Sequence, residues 1–130
     1  MIVDTDRTRA ERAAASLAER FGRGRAATAS DVGAAVSEAD GLINATPVGM
    51  ANYPGLPLPI ELLRPDLWVA DIVYFPLETQ LLRQARMLGC RTLDGGGMAV
   101  FQAAEAFRLF TGVKPNAERM HRHFAEMTNG

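Results

Sequence analysis

The chain has 130 residues, of which 14 are Lys or Arg and 15 are Asp or Glu, giving a formal net charge of −1. That length fits one domain with its own core, and the balanced charge argues against nucleic acid or an anionic membrane as a partner. The single cysteine excludes a disulfide framework, and the lack of a long apolar run or a signal-peptide pattern predicts a cytoplasmic protein.

The first 40 or so residues are predicted to alternate between short strands and helices. The predicted elements are a strand at 1–4, a helix over 7–21, a weak strand over 26–29 and a helix from 30 to about 39. Asp6 and Ser30 are residue types that cap a helix start, because their side chains accept a hydrogen bond from the backbone of the first turn.

The alternation of strands and helices continues through the rest of the chain. The predicted elements are strands over 41–46, 67–73 and 90–93, a helical turn over 60–63, and helices over 78–88, 98–111 and 115–127. Four prolines and two glycines between residues 47 and 59 predict a loop. Because strands separated by helices usually run parallel, the pattern predicts an α/β fold, with a Rossmann-like parallel sheet and helices on both faces.

Three consecutive glycines, Gly95 to Gly97, precede the helix predicted over 98–111. Since glycine has no Cβ, such a loop can bring backbone against a flat ligand or adopt a positive φ. Gln102, one turn into the helix, could reach a ligand on the loop. The alternative is a permissive turn followed by a surface glutamine. The helix is expected to bury the following apolar positions: Val100, Phe101, Ala104, Phe107 and either Leu109 or Phe110.

Asp4 closes the first predicted strand. In the dinucleotide-binding fold, an acidic residue at the end of the second strand binds the ribose, and a glycine-rich turn after the first strand holds the pyrophosphate. If Asp4 is that acidic residue, residues 1–130 are a single incomplete dinucleotide-binding domain, which lacks the first strand and its glycine-rich turn. The alternative is that Asp4 is a turn residue.

Three blocks of sequence occur together in a defined order and spacing. They are Asn-Ala-Thr-Pro-Val-Gly-Met at 44–50, Asp-Ile-Val-Tyr-Phe-Pro-Leu-Glu-Thr at 71–79, and the glycine run with its helix at 95–102 and 107–112. Together they resemble the C-terminal half of the shikimate/quinate dehydrogenase family. The resemblance implies an oxidoreductase of aromatic amino acid biosynthesis or quinate catabolism. Such an enzyme moves hydride between a nicotinamide cofactor and the ring carbinol of shikimate or quinate.

The resemblance also implies roles for individual residues. Asn44 and Thr46 match the loop that lines the cofactor groove, and Gly95 matches a backbone position near the nicotinamide carboxamide. Tyr74 and Gln102 match positions that approach the substrate, and a phenol and an amide can both donate to and accept from a polyol. The alternatives are that Asn44 and Thr46 only satisfy loop backbone, and that Tyr74 only packs on a neighbouring loop.

Three other polar residues are interpreted as structural. Asp71 is expected to bond backbone amides in the loop around Tyr74. His121 and His123 lie on the last predicted helix and are expected at the surface, since no Cys or carboxylate cluster accompanies them. No metal is therefore predicted.

The segment that follows the first predicted strand bears on the choice of cofactor. NADP-using members of the family typically have Asn-Arg-Thr where this chain has Asp4-Thr5-Asp6, and their arginine clamps the 2′-phosphate. A carboxylate at Asp4 would accept bonds from ribose hydroxyls and repel a 2′-phosphate. The resemblance is thus to the NAD-preferring branch, and NAD is expected rather than NADP. Arg7 and Arg9 lie close by and leave NADP open.

No catalytic residue is expected in this chain. In the family, the proton-transfer Lys and its Asp partner lie in an N-terminal substrate domain, which this sequence is expected to lack, so the isolated chain is predicted to be inactive. A missing first strand would leave two unpaired inner sheet edges, through which a second copy could pair. The alternative is a stand-alone, non-catalytic module that binds a nucleotide or another protein.

Overall fold

The computed structural model describes residues 1–128, in two compact units that meet in sequence between Ala39 and Asp40. It confirms the α/β class with a parallel sheet. The helices are α1 (Arg7–Phe21), α2 (Val32–Ser37), α3 (Gln80–Met87), α4 (Gly96–Thr111) and α5 (Ala117–Thr128), the strands are β1 (Gly41–Asn44), β2 (Trp68–Asp71) and β3 (Arg91–Leu93), and a 3₁₀ turn spans Ile60–Leu62. None of the helices in residues 1–128 has the length and apolar character needed to cross a membrane.

The first unit is built around α1, which has the bounds predicted from the sequence. As predicted, Asp6 caps it by accepting a hydrogen bond from the backbone N–H of Arg9. The two strands predicted in this unit are wrong in extent, because a single parallel bridge between Ile2 and Thr28 takes their place. α2 is shorter than predicted, since Asp31 caps it one residue after the expected cap.

The second unit contains a three-stranded parallel sheet in the order β1-β2-β3. Gly41 pairs with Trp68 at the start of the β1–β2 ladder, and Asn44 pairs with Asp71 at its end. A methyl group on Gly41 would overlap the indole of Trp68, so glycine allows the ring to lie over the β1 backbone. Within residues 1–128, β1 has a strand neighbour only on its β2 side, which leaves one edge of this sheet open.

The two faces of this sheet differ in their cover. On β2, Val69 and Asp71 are 1% and 2% exposed, and α3 contacts both β2 and β3. Ile43 and Leu93, on neighbouring strands, are 58% and 70% exposed. Because side chains alternate between the two faces along a strand, one face is packed under α3 and the other is apolar and open. Within residues 1–128, this sheet therefore does not have the predicted helix cover on both faces.

β1 and β2 both end two residues earlier than predicted, β1 at Asn44 and β2 at Asp71. Each terminal side chain accepts a hydrogen bond from the backbone two residues later. Thr46 N–H donates to Asn44 Oδ1 over 3.1 Å, and Val73 N–H donates to Asp71 Oδ1 over 3.0 Å. Such Asx turns divert the backbone from its extended path and so end the strand.

α4 begins at Gly96 rather than at residue 98, so two of the three glycines are helical. Gly95 is the N-cap residue with φ −78°, and none of the three glycines has a positive φ. A Cβ on Gly95 would lie 2.5 Å from the carbonyl oxygen of Ile72 and 2.6 Å from that of Val73. Glycine is therefore needed at 95 because two backbone segments approach closely there.

Burial along α4 differs from the sequence-based prediction. Val100 and Ala104 are buried as predicted. The other positions predicted to be buried are exposed: Phe101, Phe107, Leu109 and Phe110. The main helix contact of α4 is with α5, and one neighbouring helix covers only a narrow stripe of a helix surface. The prediction of a buried aromatic face on α4 is therefore wrong for the described part of the chain.

Polar caps set the starts of the last helices. Thr79 caps α3, and Gly89 follows the end of α3 with a φ of 88°, as expected for a glycine after a helix. α5 begins at Ala117, later than predicted, because the Asn116 side chain accepts a hydrogen bond from Arg119 N–H at 2.9 Å. Pro115 therefore lies outside the helix rather than in its first turn.

Candidate functional site

Asn44 lies at the carboxyl end of β1 and is 3% exposed. Its Oδ1 accepts from Thr46 N–H at 3.1 Å and from the Thr46 hydroxyl at 2.7 Å. Its Nδ2 donates to the Val48 carbonyl at 2.9 Å and to Asp71 Oδ1 at 3.0 Å. These four bonds use the whole hydrogen-bonding capacity of the amide. Asn44 therefore shapes the loop that follows it, and its contribution to a cofactor groove stays a prediction.

The loop of residues 44–51, called the Asn44 loop here, presents Thr46 at its surface. The Thr46 hydroxyl donates to Asn44 and accepts from Val48 N–H at 3.2 Å. A hydroxyl has one proton and two lone pairs, so one lone pair remains for a ligand. The loop also bonds the segment of residues 71–75, called the Tyr74 segment, through Ala51 N–H and the Phe75 carbonyl at 3.3 Å.

Asp71 is the buried carboxylate at the end of β2 and is 2% exposed. Oδ1 accepts from Val73 N–H at 3.0 Å in addition to Asn44, and Oδ2 accepts from the Thr79 hydroxyl at 2.7 Å. The bond to Val73 confirms the interpretation of Asp71 as a structural residue in the loop around Tyr74. The carboxylate joins three stretches of chain, which are the Asn44 loop, the Tyr74 segment and the start of α3.

Thr79 is a site residue whose part in this network the sequence did not reveal. It is fully buried, and its hydroxyl accepts from Leu82 N–H at 3.3 Å while donating to Asp71. The sequence signal was only that of a helix start, since threonine is a common N-cap. Nothing in the local pattern indicates that the same hydroxyl reaches a carboxylate eight residues earlier.

Tyr74 and Gln102, the two predicted substrate residues, line one groove of about 450 Å³. The groove is bounded by α4, α5 and the Tyr74 segment, and its other lining residues are Ala99, Val100, Ala103, Ala106, Met120, His123, Phe124 and Met127. The Tyr74 ring is tilted against the Phe124 ring with 6.4 Å between centroids, and Tyr74 is 48% exposed. Tyr74 therefore both packs on a neighbour and faces the groove.

Gly95 follows β3 and packs directly on the Tyr74 segment. Because β1, β2 and β3 are parallel, the residues that follow them lie at the same, carboxyl edge of the sheet. The Asn44 loop, the Tyr74 segment and Gly95 therefore occupy the edge at which open α/β sheets bind ligands. This arrangement brings together Asn44, Thr46, Tyr74 and Gly95, whereas Gln102 on α4 shares the groove with Tyr74.

Asp4 lies in the first unit, in a turn that precedes α1. Its Oδ1 accepts from Asp6 N–H at 2.8 Å, as the turn interpretation expects. Its Oδ2 lies 3.5 Å from Arg9 Nη1, and Arg9 is also 3.6 Å from the Asp6 carboxylate. One oxygen of Asp4 is thus only loosely paired, and its predicted bond to a ribose stays a prediction.

Both histidines of the chain lie on α5. His121 and His123 are at the surface as predicted, and His123 Nδ1 lies 3.7 Å from a Glu126 carboxylate oxygen. Residues 1–128 contain no group of three or more His, Cys, Asp or Glu side chains placed to hold a metal ion.

The perturbed titratable groups lie outside the groove lining. Burial raises the pKa of the Cys90 thiol, whose Sγ donates to the Arg64 carbonyl at 3.2 Å. On the exposed side of α4, the hydrogen bond from Arg108 lowers the pKa of Glu105 and correspondingly raises the pKa of Arg108. Both are local structural effects.

Comparison with known proteins gives a family match over one part of the chain and relatives over nearly all of it. A family model described as "Shikimate 5'-dehydrogenase C-terminal domain" matches residues 95–123. The chain is 58% identical over 128 residues to the shikimate dehydrogenase (NADP(+)) of Streptomyces avermitilis, covering 97% of this chain and 44% of that relative. It is 47% identical to the quinate/shikimate dehydrogenase (NAD(+)) of Corynebacterium efficiens, with coverage of 97% and 45%. The chain thus spans less than half the length of these curated relatives.

Among solved structures, the chain is similar to the quinate dehydrogenase from Corynebacterium glutamicum in complex with NAD. The TM-score is 0.87 at 43% identity, and the match covers 95% of this chain and 45% of that one. The backbone similarity extends over almost all of the chain, in agreement with the sequence resemblance.

Proposed function

Because the chain belongs to the shikimate/quinate dehydrogenase family, we propose that it is the cofactor-binding portion of an enzyme that moves hydride between a nicotinamide dinucleotide and the ring carbinol of shikimate or quinate. The observation that carries the proposal is the grouping of Thr46, Tyr74 and Gly95 at the carboxyl edge of the sheet. The Asn44 loop is bonded to the Tyr74 segment, and Gly95 packs on that segment. The proposed location is the cytoplasm.

Each unit, taken by itself, offers groups that suit a part of a dinucleotide. Asp4 retains a loosely paired carboxylate oxygen, which suits the hydroxyls of a ribose. Thr46 retains a hydroxyl lone pair at an exposed position, and Gly95 offers backbone without a side chain. The glycine-rich turn that would hold the pyrophosphate is not among these 130 residues. When bound, the nicotinamide ring supplies or accepts the hydride.

Tyr74 and Gln102 would bind and orient the substrate ring. A phenol and a carboxamide each donate and accept hydrogen bonds, and both line the same groove. The groove lining, among the described residues, contains neither Lys nor a carboxylate. The family resemblance places the proton-transfer Lys and its Asp partner in a separate substrate domain, and His123 of the lining matches no catalytic motif of the family. Residues 1–130 alone are therefore proposed to have no turnover.

The proposal is tested by comparing two proteins. One is residues 1–130 alone. The other, called the joined protein, places residues 1–130 behind the N-terminal part of the Streptomyces avermitilis relative. The joined protein should reduce NAD or NADP with shikimate or quinate, followed by absorbance of the reduced cofactor, and residues 1–130 alone should not. Turnover by residues 1–130 alone, or a folded joined protein that binds neither cofactor, would contradict the proposal.

The preferred cofactor is proposed to be NAD, because a 2′-phosphate would face the Asp4 and Asp6 carboxylates. Calorimetric titration of the joined protein should give tighter binding of NAD than of NADP. Asp4→Asn should weaken the binding of NAD by about tenfold, close to the worth of one hydrogen bond to a charged acceptor, and should leave the binding of NADP unchanged or tighter. Equal weakening of NAD binding and NADP binding would show that Asp4 does not determine the preference between the two cofactors.

A second candidate function is a non-catalytic module that binds a nucleotide or another protein. The open edge of β1 and the exposed apolar side chains of Ile43 and Leu93 favour it. Such a module would bind NAD or NADP in the joined protein without turning over shikimate or quinate. Turnover of shikimate or quinate by the joined protein would favour the enzyme and exclude the non-catalytic module.

A further inference from the structure

We propose that Asp71 is a positioning residue that holds the Tyr74 segment in a fixed place relative to the Asn44 loop. The Tyr74 phenol, on the substrate side, and the Asn44 loop, on the cofactor side, then keep a fixed position relative to each other. The inference rests on the proposed function, which gives Tyr74 and the loop their roles. Asp71 is buried and acts through the groups that it bonds, so it is not itself a catalytic residue.

The first carboxylate oxygen links the two segments. Oδ1 accepts from Asn44 Nδ2 and from Val73 N–H, each at 3.0 Å. Val73 immediately precedes Tyr74, while Asn44 binds both the backbone and the hydroxyl of Thr46. A displacement of this one oxygen would therefore move both the Asn44 loop and the Tyr74 segment.

The second carboxylate oxygen fixes the pair to the body of the fold. Oδ2 accepts from the Thr79 hydroxyl at 2.7 Å, and the Thr79 oxygen in turn accepts from Leu82 N–H in the first turn of α3. Gly49 of the Asn44 loop lies against this bond. A Cβ there would be 3.4 Å from Thr79 Cγ2 and 3.8 Å from Asp71 Oδ2.

The donor set explains why this position needs an aspartate. Three uncharged donors, from Asn44, Val73 and Thr79, converge on a carboxylate that is 2% exposed. An ionised carboxylate accepts at both oxygens, whereas an asparagine presents N–H groups on one side. Asp71→Asn would therefore keep the hydrogen bonds at one of the two carboxylate oxygen positions and lose those at the other. Asp71→Ala would lose the hydrogen bonds at both positions.

The test is a double-mutant cycle in the joined protein. The effect of Tyr74→Phe on the substrate KM is measured in the parent, Asp71→Asn, Asp71→Ala and Leu63→Ala backgrounds. Leu63 is a buried apolar residue outside both segments, so Leu63→Ala serves as the control for lost stability alone. Tyr74→Phe should raise KM by about tenfold in the parent and in Leu63→Ala, the worth of one hydrogen bond. The rise should be below about twofold in Asp71→Ala and intermediate in Asp71→Asn.

A second measurement needs neither cofactor nor substrate. Amide hydrogen exchange is followed in residues 1–130 with and without Asp71→Ala, which removes both acceptor oxygens. Exchange at Val48 and Val73, one amide on each side of Asp71, should become about tenfold faster, since loss of one buried hydrogen bond is worth roughly that factor. Exchange at Ala104 in α4 should not change.

The outcomes separate the positioning role from a general loss of stability. A tenfold effect of Tyr74→Phe that persists in Asp71→Ala overturns the proposal, even when the variant is less stable. Faster exchange at Val73 with Val48 unchanged overturns it as well. If the joined protein binds no cofactor, the proposed function fails, and the exchange result alone decides whether Asp71 joins the two segments.

Discussion

Neighbouring glycines at the start of α4 should respond oppositely to the same substitution. A Cβ on Gly95 would lie 2.5 Å from the Ile72 carbonyl oxygen, whereas nothing lies within 4 Å of a Cβ on Gly97. Gly95→Ala should lower the free energy of unfolding by about 1–3 kcal/mol through overpacking. Gly97→Ala should raise it by up to about 1 kcal/mol, because alanine favours the helix. Urea unfolding of both variants checks this, and equal changes would contradict it.

Cys90 should make stability depend on pH in alkaline solution. Burial raises the pKa of its thiol above the ordinary value of 9.0, so the folded state holds the proton more tightly than the unfolded state. The free energy of unfolding should therefore be constant up to about that pH and fall as pH rises further. Cys90→Ala should reduce this fall, which urea unfolding at several pH values would measure. A fall of the same size in both proteins would exclude Cys90 as its source.

At the scale of elements, two helix caps that look alike in sequence should contribute differently to the free energy of unfolding. Asn116 caps α5 at the surface, and Asn116→Ala should cost about 1 kcal/mol. Thr79→Ala loses the cap of α3 and also leaves the buried Asp71 oxygen without its donor, so it should cost about 2–4 kcal/mol. Thr79→Ser keeps the hydroxyl and should recover most of the loss. Thermal unfolding of the three variants measures the order, and equal losses at Thr79 and Asn116 would contradict it.

Element bounds were predictable where a local group sets them. Asp6 caps α1 and Gly22 follows its end, so both bounds could be read from neighbouring residues. β1 and β2 ended early because Asn44 and Asp71 turn the backbone, an effect that hydrophobic patterning alone does not register. The exposed aromatic residues of α4 could not be foreseen, because periodicity identifies an apolar face without revealing how much of it a neighbour covers.

At the scale of the whole molecule, the open edge of β1 should drive association of residues 1–130. Within residues 1–128, no strand lies on the outer side of β1, so this edge, beside the exposed side chain of Ile43, offers a place for a second copy to pair. Sedimentation velocity should show an average mass that increases with concentration. Ile43→Lys should suppress the increase, and Phe110→Lys, at an 89% exposed position on α4, should not. A monomer at all concentrations, or equal effects of both variants, would contradict a role for this edge.

The candidate site was predictable as a set of residues more than as an arrangement. The motif resemblance supplied Tyr74 and Gln102, and the structure adds that they line one groove. The buried bond between Thr79 and Asp71 depends on how α3 packs against the sheet, which no sequence spacing encodes. The same holds for Gly95, whose role follows from the carbonyl groups of Ile72 and Val73.

The indole that lies over Gly41 gives this protein an intrinsic optical reporter. Trp68 is the only tryptophan in the chain, and it sits at the first pair of the β1–β2 ladder. Its fluorescence therefore comes from one place, beside the strand whose outer edge is open. Emission spectra can follow that ladder separately from the helices, both during unfolding and when another strand docks.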